Sequence, residues 1–435
     1  MDSKKQNGSI IAIITMMFLY AMISFVTNLA APVGVIWKGA FDGSNTVGML
    51  GNMMNLLAYL FMGIPAGKLL TRIGYKKTAL AGIGTGFVGV LIQFISGSIS
   101  GTPGFVVYLL GAFISGFCVC MLNTVVNPML NLLGGGGNRG NQLNLIGGTL
   151  NSLAGTLTPL FVGALIRDIS KASFSDVNPV MYIAMAVFAA AFVVLMFVPI
   201  QDPEMGKTGA DTVFEHSAWS FRHFVLGTIA IFVYVGVEVG IPGTMIFYLS
   251  DTTEAGGGLT GNAAAIAGSV AATYWLLMLV GRFGSSFFAS KVSSKTMMTV
   301  TTITAMTLIV LAMLLGKSTQ VSMPVFTGAS FEMVTVEMVT VPVAALLLVL
   351  CGLCTSIMWA SIFNLATEGL GKYTAAASGI FMMMVVGGGV LPLIQNFIAD
   401  HAGYLTSYIV PLAGVAYMCY YALIGSKNVN KDIPV

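Results

Sequence analysis

The sequence predicts an all-α polytopic membrane protein, with twelve transmembrane helices in two pseudo-symmetric six-helix bundles. Three observations predict it. Of 435 residues, 56% are hydrophobic and only 8% charged, against roughly 25% charged in a soluble domain. That leaves too little polar surface to coat a water-soluble globule, so the excess faces lipid. The apolar residues gather in twelve runs, each near the roughly 20 residues that cross a bilayer of about 30 Å as a helix. Finally, fifteen of the nineteen Lys and Arg fall on one side if the chain weaves back and forth, as the positive-inside rule requires.

The first run follows "MDSKKQNGS" and extends to about Val35. A signal-peptide core is roughly 7–15 residues, so this is an uncleaved first span. The span cores are 10–36, 46–66, 77–98, 104–132, 143–166 and 179–199, then 223–249, 262–289, 296–316, 342–366, 374–399 and 404–425. In lipid, helices satisfy every backbone polar group internally. The alternating ten-residue segments of a barrel are absent. With both termini cytoplasmic, only Lys38, Arg167, Lys171 and Lys317 lie outside. The chain is therefore expected in the cytoplasmic membrane, N-in and C-in.

Residues 1–200 form the first expected bundle, 201–222 a polar cytoplasmic linker, and 223–435 the second bundle. The halves echo each other. "GKLLTRIGYKKT" at 67–78 follows span two, and "GRFGSSFFASKVSSKT" at 281–296 follows span eight, 214 residues later. Parallel repeats of this kind place a site between the halves near the midplane. The extracytoplasmic insertion 317–340 contains "FEMVTVEMVTV", whose alternation suits a small hairpin or an ordinary decorated loop. "GGGG" at 134–137 lacks a P-loop Lys-Ser/Thr and reads as a turn. The five cysteines lie in apolar runs and read as packing. No basic block or zinc spacing suggests nucleic acid, and no cofactor or metal is implied.

From "GIPAGKLLTRIGYKKTAL" onward the chain resembles the major facilitator superfamily, and within it the fucose/glucose–galactose permease (sugar:cation symporter) branch. "NPMLNLLG", "QLNLIGGTLNSLAGTLTPL", "YVGVEVGIPG", "YWLLMLVGRFGSS" and "SIMWASIFNLATEGLGKYTAAASGIFMM" extend the resemblance from span two to span eleven. It implies a gating loop motif at Gly67, Arg72, Gly74, Lys76 and Lys77, repeated at Gly281 and Arg282. The motif's usual aspartate falls at Thr71. The branch's acidic residues in spans one and four fall at Asn28 and Asn123, and a span-five glutamine falls near Gly148, with Asn151 following. These departures weaken any reading as a proton–fucose symporter.

Among sixteen acidic residues, Glu238 alone lies mid-span. An ionised group there costs about 2.5–3.5 kcal/mol on insertion scales, so it must face protein or a wet cavity. Two roles are open: coupling to a proton or sodium ion, or a packing hydrogen bond. Pro242 leaves the carbonyl of Glu238 without an i+4 donor, which suits either a gating bend or an ordinary membrane-helix proline. Asn28, Asn123, Asn127, Asn151, Asn364 and Gln395, with Tyr274, Trp275 and Trp359, are the candidate substrate contacts. Amides bridge sugar hydroxyls, and rings stack on the apolar sugar face; each residue is equally suited to interhelical packing. Asn123, Asn127 and Asn131 share one helix face at i, i+4, i+8. No Lys or Arg is expected deep in a span, so a neutral monosaccharide or amino sugar is the expected substrate. An uncoupled facilitator is the alternative, and a transporter-like sensor is less favoured. The partners expected are that sugar, a coupling cation and the bilayer, with the protein a monomer. No nucleophile–base pair points to an enzyme.

Overall fold

A computed structural model describes residues 10–27, 45–165, 174–200, 216–251, 253–259, 263–316, 318–327 and 335–434. Asn28 and the linker stretch 201–215 lie outside these residues. Ten of the described helices are long and apolar enough to cross a membrane.

The chain opens with α1 (Ile10–Thr27). It continues through α2 (Asn45–Ser96), α3 (Gly101–Leu133), α4 (Gly137–Leu165) and α5 (Phe174–Phe197). The 52 residues of α2 are too many for one crossing, and the helix breaks at Gly74, where φ is 82° and ψ 174°. Only glycine adopts that conformation without strain. The motif glycine therefore marks the junction of the two helices joined in α2. Next to it, Lys76 Nζ donates to the carbonyls of Met196 and Val198, both at 2.8 Å. It caps the end of α5, where the helix dipole favours a cation. Arg72 and Lys77 flank the break and are exposed. Thr71, in the place of the motif's aspartate, turns its hydroxyl back to the carbonyl of Lys68. In the four-glycine stretch, Gly135, Gly136 and Gly137 all have positive φ, and it forms the α3–α4 turn.

The second part runs through α6 (Arg222–Ser250), α7 (Ala263–Ser286) and α8 (Ser294–Leu315). Then come β1 (Gln320–Thr327) and β2 (Thr335–Pro342), followed by α9 (Val343–Thr355) and α10 (Met358–Thr367). The chain ends with α11 (Thr374–Met383), α12 (Gly387–Ala402), α13 (Tyr404–Ser407) and α14 (Ile409–Tyr420). Helix α6 continues through Pro242. The insertion does form an antiparallel hairpin, Gln320 pairing with Pro342 and Thr327 with Thr335. It reaches two residues beyond the expected boundary at 340.

Helices before residue 200 meet those after 222 mainly where α2 lies on α11 and α4 on α7. Glycine sets the first contact. A Cβ on Gly63 would lie 2.6 Å from the carbonyl oxygen of Gly379, and a Cβ on Gly379 would lie 2.7 Å from Gly67 Cα. Nearby, Ser378 Oγ donates to the carbonyl of Thr124 at 3.0 Å. Small residues substitute here for a hydrophobic driving force that lipid does not supply. Gly379→Val is expected to force α2 and α11 apart, at about the 1–3 kcal/mol of an overpacked core. The apparent melting temperature in detergent should fall, with Gly379→Ala falling less. An unchanged melting curve for the valine variant would contradict this packing.

Candidate polar site between the two helix sets

Several buried polar side chains meet where the two helix sets touch. Glu238 is the seventeenth residue of the 29-residue α6. Its Oε1 accepts from Tyr234 Oη at 2.8 Å, one turn earlier on the same face, and from Arg282 Nη2 at 3.1 Å. Oε2 makes no hydrogen bond among the described residues. The two charged side chains are 14% and 12% exposed, so neither points at open lipid.

Arg282 corrects the expectation that no cation lies deep in a span. Its Cα is near the end of α7, but its side chain runs inward to Glu238. The guanidinium also spends Nε on the carbonyl of Ser356 at 3.3 Å. Nη1 donates to Ser152 Oγ at 2.6 Å and to the carbonyl of Gly148 at 3.3 Å, both on α4. Gly148 leaves the space for this: a Cβ there would lie 3.5 Å from Arg282 Cδ. The buried cation is matched by a buried carboxylate, so the pair offers no net charge to an anion. Gly281, expected in a loop motif, lies inside α7. A Cβ there would lie 2.7 Å from Ser356 Cβ, so its place is a tight contact between α7 and the α9–α10 break.

A second cluster continues from this pair. Asn127 Oδ1 accepts from Tyr20 Oη at 2.6 Å and from Trp359 Nε1 at 3.0 Å. Asn127 Nδ2 donates to the carbonyl of Asn123 at 2.8 Å. Asn123 Nδ2 donates to Tyr59 Oη at 2.9 Å, and Asn151 Nδ2 to the carbonyl of Tyr20 at 2.8 Å. The Trp359 ring meets Tyr234 edge-on with centroids 6.2 Å apart, and Phe381 at 6.1 Å. Through Tyr234 the two clusters join. The i, i+4 repeat on α3 does bring Asn123 and Asn127 together, while Asn131 reaches Thr367 at 3.4 Å.

Other candidates are placed elsewhere. Tyr274 is fully buried, its hydroxyl 3.0 Å from Thr355 Oγ1. Asn364 Nδ2 donates to Ser294 Oγ at 2.9 Å and ties α10 to α8. Both are interhelical ties inside the second set. Gln395 is 1% exposed, packed beside Gly240. Trp275 is 41% exposed; seven residues from Arg282, it stands two turns along on the same face of α7. Tyr59, Tyr234 and Ser152 belong to the network and were not selected from sequence. Only Tyr234 had a usable signal, its i−4 spacing from Glu238. A separate cavity of about 460 Å³ lies at the C-terminal ends of α6 and α12, lined by Phe247, Asp251, Asn396, Asp400 and Tyr404. No group of three or more potential metal ligands occurs among the described residues.

A sequence model described as Major Facilitator Superfamily matches residues 13–392, most of the chain. The chain belongs to the major facilitator superfamily. It is an integral membrane transporter, not an enzyme. Among its relatives is a protein named glucose/galactose transporter from Brucella abortus biovar 1 (strain 9-941). The two are 30% identical over 98% of this chain and 96% of that protein. The L-fucose-proton symporter of Escherichia coli (strain K12) is 22% identical over 95% and 92%. The solved structure of the superfamily transporter FucP in the outward conformation matches with a TM-score of 0.72 and 20% identity, covering 96% of this chain and all of that one. At that identity it speaks to the fold alone.

Proposed function

We propose that this superfamily transporter carries a neutral monosaccharide of the glucose or galactose type by alternating access, with Glu238 as the group coupling it to a proton. One observation carries the reading. Asparagine amides, tyrosine hydroxyls and an indole form one connected cluster between the two helix sets, beside a carboxylate with one oxygen unclaimed. Amides and indole are the chemistry for sugar hydroxyls and the apolar sugar face. In this state the groups satisfy one another, so an entering sugar exchanges its hydroxyls for bonds already made. The names of the relatives from Brucella abortus and Escherichia coli, along nearly their full lengths, support the sugar class.

The transport architecture follows from the same reading. Taking α2 as two crossings and α4 as one gives twelve spans: six before the linker 201–222 and six after it. The contacts α2–α11 and α4–α7 are then spans two–eleven and five–eight. Shifting each span by six exchanges these two pairs, which a twofold between the bundles demands. The ends bearing Lys68, Arg72, Arg139, Lys291, Lys295 and Lys372 face the cytoplasm in this reading, the membrane is the cytoplasmic one, and the protein acts as a monomer. Asn123, Asn127, Asn151 and Trp359 contact the sugar in this reading. Gly67, Gly74 and Lys76 serve the gate between spans two and three, with Arg72 and Lys77 beside them.

A second reading, the uncoupled facilitator, is favoured by one observation: Arg282 already neutralises Glu238. The test is uptake of radiolabelled glucose and galactose into proteoliposomes, with a pH gradient, a sodium gradient or neither. Accumulation above the outside concentration only with the pH gradient is the expected result. Equilibration without accumulation would establish the facilitator, accumulation on sodium alone would replace the proton, and no uptake of either sugar would remove the substrate class.

A further inference from the structure

We propose that Arg282 is the positioning residue through which the charge of Glu238 holds the cytoplasmic ends of the two bundles together. The inference rests on Glu238 being the coupling group. Glu238 belongs to α6 and Ser356 to the α9–α10 break, both in the second bundle, whereas Ser152 and Gly148 belong to α4 in the first. One guanidinium binds all four. It is therefore a strut across the interface, anchored on one side by an ion pair. The same two helices meet again nearer the cytoplasm, where Gln142 Nε2 donates to the carbonyl of Ser286 at 2.8 Å. Asn141, fully buried beside Met297, lies in that closed layer.

The charge logic is direct. With Glu238 ionised, the buried cation has its counter-ion and the strut is stable. When Oε2 takes a proton, the acid becomes neutral and Arg282 keeps only neutral acceptors. An uncompensated buried charge is strongly unfavourable, so the arginine withdraws toward water and leaves Ser152 and Gly148. The other ionisable groups coupled electrostatically to the pair are the phenols of Tyr20, Tyr234 and Tyr274, none of which supplies a second anion at neutral pH. Ionised Glu238 therefore favours closure toward the cytoplasm, and its protonation weakens that closure.

The test uses an Asn141→Cys reporter in the full chain. The native cysteines are all buried. Inside-out vesicles are labelled with a membrane-impermeant maleimide. Glu238→Gln, Arg282→Gln and Ser152→Ala should each raise the labelling rate several-fold. Glu238→Gln with Arg282→Gln should label no faster than Arg282→Gln alone, because the acid acts through the arginine. Arg282→Lys, which keeps the charge but not the fork of donors, should fall between. Unchanged labelling in Glu238→Gln, or strictly additive effects in the double variant, would overturn the proposal. Sugar binding is followed separately by tryptophan fluorescence with glucose and galactose. Shifted labelling without sugar binding would leave the strut standing and remove the substrate reading; sugar binding with unshifted labelling would do the reverse.

Discussion

Glu238→Gln is expected to abolish gradient-driven accumulation while sparing sugar exchange. A pH difference of about one unit stores about 1.4 kcal/mol per proton, enough for about tenfold accumulation at one proton per sugar. The carboxamide has the shape of the acid, and its oxygen still accepts from Tyr234, one turn earlier on the same helix. It cannot take up and release a proton. The accumulation ratio in proteoliposomes should therefore fall from about tenfold to about one. Exchange of external for internal sugar needs no change in the protonation of Glu238, so counterflow should persist. The contrast separates coupling from folding, because a misfolded carrier loses both. Full accumulation by the glutamine variant would reduce Glu238 to a packing residue, the other role open from sequence.

Asn127→Leu should have the second large effect, on sugar affinity and on stability together. Its Oδ1 is the shared acceptor of Tyr20 Oη and Trp359 Nε1. Leucine leaves both donors without an acceptor beside a position that is itself fully buried. Each orphaned buried group costs about 1–3 kcal/mol. The apparent melting temperature should drop, and glucose or galactose binding by fluorescence should weaken beyond detection. Asn127→Asp keeps an oxygen for both donors and loses the amide donations to the carbonyl and the side-chain oxygen of Asn123. It should retain more stability than the leucine variant. If leucine lowers stability but leaves sugar affinity intact, Asn127 is an interhelical tie and no part of the sugar site.

The comparison of Glu238 with Arg282 shows how far the sequence reaches. Glu238 was legible because it is the one acid in mid-run, and a carboxylate among apolar neighbours has no other explanation than an interior or wet face. Arg282 was not legible. Its position near a span end looks like an ordinary interfacial cation, and its partner lies 44 residues away. Sequence position gives the depth of a Cα; it does not give the direction in which a long, flexible side chain runs. The same limit affected the asparagines. The i, i+4 spacing on α3 correctly put Asn123 and Asn127 on one face. Nothing local separated them from Asn364, or Trp359 from Tyr274, which turn toward α8 and Thr355 instead.

The sequence alone determined that this chain lives in lipid, that it is helical, and that a loop motif separates its second and third apolar runs. These follow from composition, run length and the placement of charges, all of which are local. Only the tertiary structure decided which polar groups meet: Tyr20 with Asn127 and Trp359, and Glu238 with Arg282 across to Ser152. A helix apolar all round carries no stripe to show which face turns inward. That orientation is fixed by close contacts such as Gly63 and Gly67 on Gly379, which exist only once the two helix sets have packed.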